Sequence, residues 1–410
     1  MENRTNSAQW IIPFLFLACS IQFVCGKQFT RQISMEYNPG CPKEICSTST
    51  GNTSINLIHV MAKNPYNNGH DIHYVWSTIG SPAVLIAYTV KSTEIKIDWA
   101  KFISDNPANS ITFDPEPFYT SGMQLTHLIE FVDVNDTARL NSSAEIHMYP
   151  FHDMLWDSTS WVNSEKSDGR VNFTTEYGTN TNGSILLSFD AGKSKERISR
   201  LPFLMITSNS SAVDLALHNL STISNHSRFG LEMMFVNSYT QKPSKFKSYR
   251  SIDDEYCPAV FTMIDVNLYG EDASNGSYCQ FRPVCYVNPH RALSGQKEVQ
   301  YYEFVQASIL PHGILTAFYG EQDINIYGMN ITFGQKKDGF YVATQFTSWT
   351  STFGFGIPPV EKLSLAIIMI ISVGLGAPVV LLIFGGIGVF IKARRKQYSR
   401  LESVKQDIIT

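Results

Sequence analysis

Two short stretches bring residues capable of chemistry close together. In HDIHYVW, His70 and His73 are two imidazoles that could ligate a metal. In an extended strand, however, positions three apart point to opposite faces, so they could share an ion only across a turn. In SIDDEYCPAVF, Asp253, Asp254 and Glu255 are consecutive. A glycosidase needs two carboxylates facing each other across the scissile bond, and chain neighbours rarely do that. Asp253 and Glu255 could share a face, yet the plainer reading is a solvated acidic turn before a strand. KSKERISR and KPSKFKSYR are basic, and read as exposed loops rather than a nucleic-acid surface. No G-x-S-x-G, H-E-x-x-H, P-loop or G-x-G-x-x-G motif occurs in residues 27–362. The sequence therefore assigns no catalytic, cofactor-binding or metal-binding residue, and the reading is of a protein that is not an enzyme.

The remaining reactive groups describe a compartment. Cys41, Cys46, Cys257, Cys279 and Cys285 lie between the two apolar ends of the chain. Their spacings fit no zinc site, and in an oxidising lumen two bridges with one thiol left over is the simplest account. Local pairing of Cys41 with Cys46, and of two among the later three, is the expectation. N-x-[ST] acceptors occur at Asn52, Asn135, Asn141, Asn172, Asn182, Asn209, Asn219, Asn225, Asn275 and Asn330, which is ten of the 23 asparagines in residues 27–362. Chance would give roughly four, so the excess points to a heavily glycosylated surface.

The elements that must carry these groups read as strands. Ala83 to Val90, AVLIAYTV, is a continuous apolar run, as a strand buried on both faces requires. Ile95, Ile97 and Trp99 alternate with Glu94, Lys96 and Asp98, one dry face and one wet. Further strands are expected at Ile55 to Met61, Ser184 to Phe189, Phe203 to Thr207, Leu231 to Val236 and Tyr341 to Phe346. Asn68-Gly69, Asp168-Gly169, Asn182-Gly183, Asn275-Gly276 and Asp338-Gly339 supply turns that tolerate positive φ. Long helical periodicity is absent before Leu363. The expected fold is mostly antiparallel β, a sandwich or two packed sandwiches, followed by one membrane helix.

The two ends differ. Trp10 to Val24 has the length of a signal-peptide core and is followed by small residues, so residues 1–26 are read as a cleaved signal peptide. Residues 27–362 form the glycosylated lumenal region. Residues 363–391 hold no ionisable side chain over 29 positions, more than the roughly 20 that span a bilayer as a helix. Lys392, Arg394, Arg395 and Lys396 follow at once, so the rule on basic flanks puts residues 392–410 in the cytosol and makes the topology type I. Charge agrees: residues 27–362 carry 25 basic and 33 acidic groups, net −8, whereas residues 392–410 carry 6 and 2, net +4. On a helical wheel Gly374, Ala377, Gly385 and Gly388 fall on one stripe with Pro378 and Leu381, as close packing of a second helix would require.

Three strings carry a specific resemblance. IHYVWSTIGSPAVLIAYT (72–89), SIDDEYCPAVF (251–261) and FGIPPVEKLSLAIIMIISVGLGAPVVLL (355–382) resemble the glycosylated lysosomal membrane protein family, and the likeness runs from about residue 28 to the tail. It implies a type I lysosomal glycoprotein without established catalytic activity. It further implies an accessory subunit of a lysosomal major-facilitator transporter that exports dipeptides, covering its lumenal loops against proteases. The tail fits that destination: Tyr398-Ser399-Arg400-Leu401 resembles the tyrosine-based sorting signal read by clathrin adaptors, with pockets for Tyr398 and Leu401.

Overall fold

A computed structural model describes residues 30–46, 55–66, 68–141, 144–161, 170–176, 183–192, 196–239, 244–253, 259–271, 273–320, 322, 324–360 and 365–409. The signal-peptide expectation and Asp168-Gly169 lie outside the described residues, as do Asn52, Asn182, Cys257, Asp254 and Glu255. Two antiparallel sheets face each other. The front sheet runs Gln32–Tyr37, Leu57–Lys63, His70–Ser77, Ala83–Val90, Tyr119–Val132, Ser227–Asn237 and Asn325–Phe333, each strand bonded to the next. The back sheet runs Asp157–Trp161, Arg170–Glu176, Ser184–Ala191, Ser210–His218, Phe346–Phe355, Ser277–Phe281, Ala259–Leu268 and Lys245–Asp253. The strand Gln296–Tyr301 joins them, pairing with Val284–Tyr286 behind and with Asn325–Phe333 in front.

One core fills the space between the sheets. Trp76 of the front sheet stacks on Phe189 of the back sheet at 4.1 Å, and its indole N–H donates to Ser211 Oγ at 3.2 Å. The apolar run Ala83–Val90 behaves as its composition demands. Val84 and Ile86 enter this inter-sheet core, while Ala83, Leu85 and Ala87 enter a second core on the outer face of the front sheet. That second core is roofed by the hairpin Glu94–Ile97/Ile111–Asp114, the short helix Trp99–Phe102 between its strands, and the helix Ile314–Tyr319. Gly122 makes the roof possible, since a Cβ there would lie 2.3 Å from Leu315 Cδ2.

Several expectations are corrected. The Glu94 alternation stops at Ile97, because the Asp98 carboxylate caps the Lys101 N–H at 3.1 Å and turns Trp99 into a helix start. The indole of Trp99 then donates to the Pro39 carbonyl at 3.1 Å. Tyr341 opens a 3-10 turn, Tyr341–Ala343, and the strand starts only at Phe346, after Gln345 at φ 50°. Phe203 to Thr207 contributes only the two-residue strand Met205–Ile206. Asn275-Gly276 does close a hairpin between Ala259–Leu268 and Ser277–Phe281. Asp338-Gly339 does not, since Asn325–Phe333 and Phe346–Phe355 belong to different sheets.

The C-terminal helix spans Leu365–Ile409, with Ile367–Leu401 long and apolar enough to cross a membrane. It runs beyond the apolar stretch 363–391, through the basic cluster and Tyr398.

Candidate functional site

The sandwich has two ends, and the acceptor asparagines sort between them. At the exit end, where Phe355 leads toward the C-terminal helix, the Phe355 N–H donates to Asn209 O (2.8 Å) and Gly356 N–H to Gly276 O (2.7 Å). Asn209 and Asn275 therefore flank the departing chain. At the opposite end, Asp133 N–H donates to His226 O (3.0 Å) and Asn219 N–H to Gln345 O (2.8 Å), which gathers Asn135, Asn219 and Asn225 on one rim. Loops at strand ends put them there, Asn219 and Asn225 on the crossover from Ser210–His218 of the back sheet to Ser227–Asn237 of the front sheet. Asn135, Asn141, Asn219 and Asn225 are exposed, and Asn172, Asn209, Asn275 and Asn330 are half-buried. Asn172 and Asn330 sit within strands, between core residues Val171 and Phe173, and Met329 and Ile331. Alternation turns their side chains away from the core. Asn209 Oδ1 accepts from Arg31 Nε at 2.8 Å, a bond in which its amide nitrogen takes no part.

A buried ion cluster ties the far rim together. Arg228, 4% exposed, donates from Nε to Asp133 (2.9 Å) and from Nη2 to Asp136 and Asp338 (2.6 Å to the latter), and lies over the Phe340 ring at 5.4 Å. Burial pushes the Asp133 carboxyl upward. The N–H groups of Thr137 and Ala138, the Thr137 hydroxyl and Arg228 outweigh it, holding Asp133 below the usual range. This is the job Asp338 performs in place of a tight turn. On the back sheet a second chain of charges runs Arg170, Asp190, Arg200, Asp214, Arg291, with Thr350 donating to Asp214. Both networks tie residues distant in sequence together and act as clamps on the loops above the sheets.

His73 finds a partner that spacing could not show. Its Nδ1 lies 2.9 Å from Nε2 of His59, the rings stacked at 5.1 Å, both buried, with Phe113 edge-on to His73. Burial lowers both, His59 to about 4 and His73 to about 3, with Lys63 adding repulsion to each and His59 to His73. His70 packs instead against Tyr88 and Phe118. The two histidines of HDIHYVW are thus parted. Of the acidic trio, Asp253 ends a back-sheet strand.

Cys41 and Cys46 are bridged, with Cα atoms 6.1 Å apart, closing the helical turn Lys43–Cys46. The second bridge expected among Cys257, Cys279 and Cys285 is not formed, for Cys279 and Cys285 are both free and buried. Cys279 pairs across to Phe353, whereas Cys285 pairs to Lys297 on the connecting strand with its thiol toward the Glu298 carbonyl. Burial pushes each thiol up to about 12, so both are inert core residues.

On the C-terminal helix, space for a Cβ is open at Gly374, Gly385 and Gly388, and Ala377 is exposed beside them. Tyr398 and Leu401 are exposed one helical turn apart. Reading them as an extended peptide requires the last turns to unwind.

The family model described as glycosylated lysosomal membrane protein matches residues 56–396. Glycosylated lysosomal membrane protein A of Xenopus laevis is 32% identical over 92% of this chain and 94% of its own length. The mouse protein of that name is 31% identical over 96% of this chain and 95% of its own, and the human one 29% over 92% and 91%.

Proposed function

Because the chain belongs to the glycosylated lysosomal membrane protein family and is a lysosomal membrane glycoprotein, we propose that it is a type I accessory subunit that stabilises a lysosomal major-facilitator dipeptide transporter and shields it from proteolysis. The observation that carries this reading is the contrast in packing. The sandwich buries its apolar side chains in its own cores, whereas the one helix among the described residues that is long and apolar enough to cross a membrane has its small-residue stripe open along Gly374, Ala377, Gly385 and Gly388. Residues 27–362 form the protective lumenal body, residues 363–391 the span, and residues 392–410 a cytosolic tail addressed through Tyr398 and Leu401 to a clathrin adaptor. Acceptor asparagines at both ends of the sandwich would surround it with glycans, which suits a cover in a proteolytic lumen. The names of the relatives carry no enzyme activity, in keeping with a non-enzymatic role.

Recovery of the complex from lysosomal membranes in mild detergent tests the helix contact. Gly385→Leu with Gly388→Leu is expected to lose the transporter while the protein itself remains at normal level. Unchanged recovery would exclude docking through this face.

A further inference from the structure

Aromatic side chains gather at the exit end of the sandwich. The Phe118 N–H donates to the Tyr88 carbonyl at 2.9 Å. The His70 ring lies 5.0 Å from each of theirs, tilted on Tyr88 and edge-on to Phe118. Tyr88 in turn stacks on Phe355 at 4.4 Å, so this wall rests on the last residue of a back-sheet strand. Together with Tyr239 these rings line a cleft of about 340 Å³, within the range of small-molecule sites. Phe118 stands at its rim with 63% of its surface exposed, a large apolar ring facing water. Glu271 and the acceptor Asn275 line the same cleft.

The acceptor triplet Asn275-Gly276-Ser277 is held on a firm base. Ser277 N–H donates to the Tyr119 hydroxyl at 3.2 Å, and the Ser121 hydroxyl donates to Ser277 Oγ at 2.5 Å. Gly276 O accepts from Gly356 N–H, and a Cβ on Gly276 would lie 2.5 Å from the Leu268 carbonyl oxygen, so the turn is closed tightly against its own hairpin. A sugar joined to Asn275 therefore starts from a fixed point in the cleft wall. Its local concentration is set by one short linkage, and little further freedom is lost when it settles. N-acetylglucosamine has a flat apolar ring face and a polar edge. The aromatic faces suit the first, and the Glu271 carboxylate and His70 imidazole suit the second.

We infer that the exit-end cleft is the docking site for the first N-acetylglucosamine of a glycan on Asn275, a ligand that the chain carries itself. The inference needs no transporter partner, so its fate and that of the accessory-subunit reading are separable. The test treats the full-length protein, made in animal cells and folded in mild detergent, with peptide N-glycosidase in heavy-oxygen water. Peptide mass spectrometry then reads the rate at which each asparagine becomes labelled aspartate. The enzyme cuts between the asparagine and its first sugar, so it must wait for that sugar to leave the cleft. Release at Asn275 is expected to be about tenfold or more slower than at Asn209, which flanks the same departing chain and shares any shielding by the micelle. Phe118→Ala removes a mostly exposed ring and should bring Asn275 to within about twofold of Asn209, while Asn225 at the far rim keeps its rate. Phe118→Trp should preserve the protection. An unglycosylated Asn275, equal release from Asn275 and Asn209, slow release that Phe118→Ala does not hasten, or acceleration shared by Asn225 would overturn the inference.

Discussion

Val84 and Leu85 are neighbours in one strand and both are fully buried, each in a different core; Leu381 and Leu382 are neighbours in the C-terminal helix and are 72% and 76% exposed. The sandwich encloses its apolar side chains from both sides of the front sheet. The helix encloses none, so its neighbours are lipid and whatever protein meets its small-residue stripe. Stability should thus reside in the first region and association in the second.

Equal truncations in the two regions should therefore have unequal effects. Trp76→Ala removes a buried ring from the inter-sheet contact and is expected to cost about 3–5 kcal/mol, whereas Leu382→Ala should leave unfolding of the sandwich unchanged. Thermal or denaturant unfolding followed by tryptophan fluorescence reads both, and similar losses would erase the distinction. Arg228→Met would leave Asp133 and Asp338 buried without their cation, at a cost of about 3–5 kcal/mol. Hydrogen exchange should quicken first in residues 133–140 and 334–340, the loops that Arg228 clamps.

Acid should weaken the sandwich through its buried histidines. His59 and His73 are held neutral in the folded state, with values lowered to about 4 and about 3, while the unfolded chain protonates near the ordinary 6.5. Below that value the unfolded state binds more protons, so this contribution is full above it and falls with pH down to the folded values. Each histidine costs about 1.4 kcal/mol per pH unit in that window. The His59→Phe/His73→Leu variant should flatten the dependence, and a slope as steep as in the parent would show that other groups control it. The smallest effect on folding belongs to Tyr398→Ala, which should leave unfolding untouched yet divert the protein to the plasma membrane. Undisturbed lysosomal staining would remove the tail from the sorting account.

Much of this division was legible in the residues. The run Ala83–Val90 demanded burial on both faces, and its two cores answer to that pattern. The span was plain because no charge interrupts 29 residues. What escaped was everything set by partners distant in sequence. His59 meets His73 through the register of Leu57–Lys63 on His70–Ser77, and Asp338 turns inward because Arg228 lies 110 positions away. Trp99 left its alternating pattern because a local cap at Asp98 outcompeted strand periodicity.

The central claim is that the sandwich and its C-terminal helix serve to protect another membrane protein. Quantitative proteomics of lysosomes from cells lacking this protein tests it most directly, with transporter message measured in parallel. The account predicts loss of the dipeptide transporter protein at unchanged message, restored by the parent protein but not by the Gly385→Leu/Gly388→Leu variant. Normal transporter abundance in the deleted cells would contradict it.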